Sequence, residues 1–185
     1  MADILTPQQR HRCMTRIKAT DTRPEMIVRR WLWKEGYRYR LHAKNLPGKP
    51  DIVLRKLKTV IFVNGCFWHG HNVKDIDGQG QNYDVIELTD SECCKIPNTN
   101  REFWLKKIRN NRFRDSSNYS IYQSLGWNVL VVWECMLKPK MQINTLKALS
   151  LNLSNINKQQ KRYSDEEDYS VPYVADAEIE YDITK

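Results

Sequence analysis

The sequence predicts a mixed α/β fold, a central sheet flanked by helices. Three observations carry this expectation. Two short apolar runs, residues 60–63 and 129–133, have the length and composition of strands. Two longer segments carry helix start signals and end on glycines, Gly36 and Gly126. The resulting order, two helices, three strands, a long loop, then helix, strand and helix, indicates a mixed sheet with helices packed against it.

Each element has a local reason. Thr6 followed by Pro7 reads as an N-cap and first helical residue, opening a helix expected to run to about residue 18. Asp21-Thr22-Arg23-Pro24-Glu25 opens a second helix, whose apolar residues Met26, Ile27, Trp31 and Leu32 recur at helical spacing until Gly36 stops it. Residues 37–41 read as a strand, and 45–50 as a turn rich in proline and glycine. Strands at 51–54 and 59–63 form a hairpin around 55–58. Residues 72–99 show no period; 84–88 could make a short strand. Thr99-Asn100-Arg101-Glu102 resembles a capping signal for a helix over 102–125. Residues 127–133 read as a buried strand, nearly continuous in apolar residues. A weaker amphipathic helix is expected over 142–153. Trp31, Trp33, Trp127 and Trp133 fall in these periodic segments, so they are expected in the core or half-buried.

Composition narrows the partners. Apolar residues make up 41% and charged residues 28% of 185, enough apolar surface for one domain core. No run is long enough to span a bilayer, and the N-terminus lacks the zones of a signal peptide, so a cytoplasmic protein is expected. Five cysteines, an odd number, argue against a disulfide framework and leave metal binding open. The net charge of +8 is unevenly placed. Residues 1–164 hold 29 Lys/Arg against 14 Asp/Glu, +15, whereas 165–185 hold eight acidic residues and Lys185, −7. A body this basic points to a polyanion. The expected organisation is a domain over 1–160, with an insertion at 72–92, and a flexible acidic tail over 161–185.

The chemistry concentrates at strand ends. Asp51 begins a strand after Pro50 and can hold a hard cation such as Mg²⁺, which keeps waters and needs few protein oxygens. His69, six residues past strand 59–63, can give or take a proton near neutrality. Cys66 and His71 are within reach of one tetrahedral ion; Cys135 follows the strand at 127–133, and Cys93 or Cys94 could supply a third thiolate, giving a Cys₃His zinc site. The alternative for the cysteines is burial as small hydrophobes. Phe67, Trp68 and Trp104 could wedge into a base stack or form a small core around the metal. Arg101, Lys106, Lys107, Arg109, Arg112 and Arg114 suit phosphate contacts. Asn111 and Asp115 are one helical turn apart, and Asp115 could buttress a histidine.

Together these segments resemble the very short patch repair endonucleases. The match lies in Asp21–Glu25, Leu46-Pro47-Gly48-Lys49-Pro50-Asp51, residues 61–69 with His71, residues 102–108, Asn111 with Asp115, and residues 125–135. The resemblance implies a restriction-endonuclease-like fold with a structural zinc site. It implies a Mg²⁺-dependent nick 5′ to the thymine of a T·G mismatch in double-stranded DNA, by a monomer that could meet mismatch-repair proteins. It implies that Asp51 and the Val63 carbonyl hold Mg²⁺, that His69 assists the attacking water, and that Glu25 and Asp115 support them. It implies Zn²⁺ on Cys66, His71, Cys135 and Cys93 or Cys94, and DNA contacts from Phe67, Trp68, Trp104, Lys107 and Asn111. Two departures stand out. Position 64, often histidine in the family, is Asn64, a catalytic-site candidate that can hydrogen-bond a phosphate or water but cannot accept a proton near neutral pH. The segment 72–92 separates His71 from the next cysteines. The alternatives are a related nickase with another target, and a zinc-stabilised DNA-binding module in which Asn64 marks lost catalysis.

Overall fold

The computed structural model describes residues 6–16, 18, 20–73 and 91–167. Its elements are α1 (Pro7–Thr15), α2 (Arg23–Lys34), β1 (Arg40–Leu41), β2 (Ile52–Leu54), β3 (Thr59–Asn64), α3 (Arg101–Ser124), β4 (Asn128–Trp133) and α4 (Pro139–Glu167). Short 3₁₀ turns follow β2 and β4, at Arg55–Leu57 and Glu134–Leu137. The expected order is the observed one.

Helix α2 starts as the sequence indicates. The Thr22 hydroxyl accepts from the Glu25 N–H and the Glu25 carboxylate accepts from the Thr22 N–H, a reciprocal cap. At α3 the cap differs: Asn100, with positive φ, takes the N-cap position without a side-chain bond, so the signal at Thr99 is not used. The strand expected at 37–41 is reduced to two residues. Helix α4 is far longer than the segment 142–153 and runs through residue 160 to Glu167. The segment 84–88 lies outside the described residues.

The sheet has order β1-β2-β3-β4. β2 and β3 pair antiparallel, turning at Lys58, whose left-handed backbone ends the 3₁₀ turn. β3 and β4 pair in parallel over six residues, with α3 as the crossover. Alternation along the strands divides the side chains. Ile52, Leu54, Ile61 and Val132 face α2 and α4, burying Val28, Leu32, Leu146, Leu149 and Leu153. Val53, Val60 and Phe62 face the other way, against Tyr122 of α3. Strand β4 is mostly half-buried rather than buried, because it is an edge of the sheet. Trp33 is 58% exposed, with the Arg38 guanidinium 4.0 Å over its ring; the apolar stripe of α2 runs through Val28 and Leu32 instead.

This arrangement fixes where chemistry can occur. The two parallel strands β3 and β4 finish side by side, Asn64 opposite Trp133. The turns that follow them directly, from Gly65 and from Glu134, therefore meet at one sheet end. The loop 44–49 is tied to the same region, since the Tyr122 hydroxyl donates to the Pro47 carbonyl at 2.8 Å. Gly48, with φ +67°, lies so close to α3 that a Cβ would come within 2.7 Å of Asn118.

Candidate active site and metal centre

An open cleft of about 1290 Å³ lies at this sheet end. Asp51, Val63, Asn64, His69 and Asp115 line it. Lys44, Lys49, Lys107 and Arg114 add positive charge to its walls, as phosphate contacts require.

Asp51 precedes β2 and shares the pleat face of Val53, so its carboxylate turns toward α3. Its Oδ2 accepts the Val63 N–H at 2.7 Å. Burial pushes the Asp51 carboxyl above the usual aspartate range and nearby Glu25 adds to this; the Val63 N–H, His42 and His69 oppose it. A carboxylate held in this setting is relieved by a cation, so the residues present suit a hard metal ion. His69 sits in the turn after β3, its N–H donating to the Gly65 carbonyl at 3.2 Å. Its Nδ1 is 2.5 Å from Asp115 Oδ2 on α3. An ionised carboxylate only accepts, so Nδ1 is the nitrogen that donates, and in the neutral ring this leaves the lone pair at Nε2.

Gly70 separates the two imidazoles. Its φ is +59°, and a Cβ there would meet Ile108 of α3 at 2.7 Å. This backbone lets His69 serve the cleft while His71 turns to the thiols. The His71 Nδ1 lies 3.7 Å from the Cys66 sulfur, 3.2 Å from Cys93 and 3.3 Å from Cys135. A tetrahedral zinc with Zn–S about 2.3 Å and Zn–N about 2.0 Å would set such separations near 3.5 Å. Cys66 and Cys135 meet because they follow parallel neighbours; the Cys135 N–H donates to the Cys66 sulfur at 3.4 Å. Burial pushes the Cys66 thiol up to about 12, raises Cys135 and lowers His71. Burial therefore favours the neutral forms of Cys66, Cys135 and His71 until a cation claims them, and a divalent metal deprotonates its thiol ligands outright.

Of the two adjacent cysteines, Cys93 joins the cluster and Cys94 does not. Ser91 decides this: its hydroxyl donates to the His71 carbonyl at 2.6 Å and accepts from the Cys94 N–H at 3.1 Å. Cys94, fully buried, turns to the opposite side, among Val73, Ile96 and Ile108, with its sulfur 3.7 Å from the Phe67 carbonyl.

The aromatic residues form one cluster. Phe67 lies 5.2 Å from Trp68 and 5.0 Å from Trp104, and the two tryptophans are 5.9 Å apart. Phe67 and Trp104 also pack on the Cys94 core, so wedge and small core are the same group of side chains. Phe103, 59% exposed and 5.2 Å from Trp104, extends it; the sequence reading passed it over, although it sits beside Trp104.

Other predicted residues have partners within the chain. Asn111 donates its amide to the Trp68 carbonyl at 2.8 Å and accepts from Arg114, so it braces the aromatic turn. Arg112 donates to the Val73 carbonyl and Arg101 to the Ile96 carbonyl, which ties α3 to the segments on either side of the metal cluster. Glu25 is 1% exposed, with Oε1 3.1 Å from Arg29 and 3.2 Å from His42 Nε2. His42 was missed in the sequence. Its N–H donates to the Asp51 carbonyl, and its positive φ after a strand was not legible from residue types. Tyr119 was also missed, although it stands four residues after Asp115 on the same helical face.

Comparison with known proteins follows the same lines. A family profile described as DNA mismatch endonuclease Vsr matches residues 2–75. A Type II nicking enzyme, V.NmeAIP of Neisseria meningitidis serogroup A, is 42% identical over 142 residues, covering 76% of this chain and 87% of that protein. Another, V.XorIIP of Xanthomonas oryzae pv. oryzae, is 38% identical over 156 residues, 84% of this chain and 97% of its own. The DNA mismatch endonuclease Vsr of Escherichia coli K12 is 36% identical over 143 residues, 77% of this chain and 80% of its own. The protein is thus a DNA endonuclease of mixed α/β, restriction-endonuclease-like fold. More narrowly, the chain belongs to the very short patch repair family of mismatch endonucleases. Among the described residues no helix is long and apolar enough to cross a membrane.

Proposed function

We propose that the protein nicks one strand of duplex DNA 5′ to the thymine of a T·G mismatch, using Mg²⁺ in the cleft and Zn²⁺ as a structural ion. The observation that carries this reading is the shared position of Asp51 and the His69–Asp115 pair on one cleft. Asp51 and the Val63 carbonyl would hold Mg²⁺, which supplies Lewis-acid stabilisation of charge on the phosphate and a more acidic attacking water. His69 takes a proton through Nε2, and Asp115 keeps the imidazole in the tautomer that can do so. Glu25 fixes His42 and, through it, the strand entry at Asp51. Cys66, His71, Cys93 and Cys135 would hold Zn²⁺, which clamps the turn carrying His69 to the end of β4.

Trp68 lines the cleft with Phe67 and Trp104 behind it, and Lys107 lies on the wall. A wedge of this kind favours a mismatch because a weakened pair costs less to unstack. Asn64 provides no imidazole, so proton transfer rests on His69. The domain over 1–160 acts as a monomer on this reading.

The test is a nicking assay on hemimethylated duplexes carrying T·G, with matched T·A controls, with and without Mg²⁺. Nicking 5′ to the mismatched thymine, dependent on Mg²⁺, is expected. Equal cutting of matched duplex, or binding with no cleavage at any Mg²⁺ concentration, would overturn it. A second reading, a nickase with another target, is favoured by the description of two relatives as Type II nicking enzymes. Cut-site profiling on a mismatch library distinguishes the two.

A further inference from the structure

Asn64 and Tyr119 form a pair to which the nicking mechanism above gives no task. Asn64 ends β3 on the pleat face of Phe62, so it meets α3 one turn beyond Asp115. It is 4% exposed, and its Nδ2 donates to the Tyr119 hydroxyl oxygen at 3.0 Å. The Tyr119 ring packs on Phe62 with centroids 5.1 Å apart. Burial pushes the phenol up to about 12, Asp115 and Asp51 add to this, and the Asn64 bond opposes it. The hydroxyl therefore keeps its proton at neutral pH. It accepts from Asn64 and has its own hydrogen left to donate.

A carboxamide is planar, with a donor and an acceptor end. Turned by 180°, the same side chain would offer the cleft an N–H instead of an oxygen. With Nδ2 held by Tyr119, Oδ1 is the polar atom of Asn64 that remains for the cleft it lines. We propose that Tyr119 is a positioning residue for nicking: accepting from Nδ2, it holds the Asn64 side chain with Oδ1 toward the cleft, where Oδ1 accepts a hydrogen from a water near Asp51 and His69. Such an acceptor orients the water, leaving its lone pair toward the phosphorus and its other hydrogen for His69. The inference rests on the nuclease reading of the cleft.

Tyr119→Phe removes one oxygen and keeps the ring on Phe62. The single-turnover nicking rate should fall about 2–13-fold, the scale of one neutral hydrogen bond, with the half-saturating DNA concentration unchanged. Asn64→Ala should fall comparably, and the double variant should be no slower than Asn64→Ala alone. In ¹⁵N-asparagine-labelled protein, the Asn64 side-chain amide should exchange slowly, and faster after Tyr119→Phe. A wild-type rate in Tyr119→Phe, losses that multiply in the double variant, or an unprotected Asn64 amide in the wild type would each overturn the proposal. If wild-type protein fails to nick, the reading of the cleft fails and this falls with it. If it nicks and Tyr119→Phe nicks equally, only this proposal is lost.

Discussion

Replacing Cys93 by serine and, separately, Cys94 by serine should have sharply different effects on metal binding, although the two residues are neighbours. Cys93 is 3.2 Å from the His71 Nδ1, inside a group of four donors whose atoms all lie within 4.8 Å of one another. Structural zinc contributes roughly 10–16 kcal/mol of apparent binding energy in small zinc domains. Shared among four ligands, the loss of one is about 2.5–4 kcal/mol, or two to three decades in affinity at roughly 1.4 kcal/mol per decade. Cys94 lies on the other side of the same backbone segment, in an apolar group with Val73, Ile96 and Ile108. Its serine variant buries a hydroxyl in place of a thiol, costing about 1–3 kcal/mol of stability and leaving metal affinity within a few-fold. Competition with a chromophoric chelator measures the first quantity and denaturant unfolding of the zinc-loaded proteins the second. Equal loss of metal affinity in both variants, or loss only in Cys94→Ser, would refute the assignment and the role of Ser91 in setting it.

Three further variants have expected outcomes. Asp51→Asn should lower Mg²⁺-dependent nicking by at least about 100-fold, since the cation supplies several kcal/mol of charge stabilisation. Because the folded carboxyl is raised, its contribution to stability is full below the unfolded value and is lost as pH rises through the folded one, so the metal-free asparagine variant should melt above wild type at neutral pH and lose that advantage in acid. Tyr122→Phe removes the bond to the half-buried Pro47 carbonyl and should cost about 0.5–1.5 kcal/mol in urea unfolding, with m unchanged. Asp115→Asn should slow nicking about 10–100-fold by freeing the His69 tautomer, with DNA binding by fluorescence anisotropy unaltered.

Much of the molecule was present in local sequence. The start of α2 within Asp21–Glu25, the strands around Lys58, and Gly36 as a helix stop are short-range effects, settled within four or five residues, and they occur as expected. So were the donor types: a carboxylate, two histidines and clustered cysteines declare metal and proton chemistry wherever they lie. Local sequence could not show which residues would meet. Cys93 and Cys94 are chemically identical, and only the packing of Ser91 against the His71 carbonyl separates them. Asn111 and Arg112 look like DNA contacts on an isolated helix; the packed chain adds a second partner to each, the Trp68 carbonyl and the Val73 carbonyl. The parallel pairing of β3 with β4 brings Cys66 to Cys135, and the crossover α3 sets Asp115 against His69 and Tyr119 against Asn64. Residue identity fixes which chemistry is available, whereas distance between residues far apart in the chain is a property of the packed sheet and helices, which no local pattern encodes.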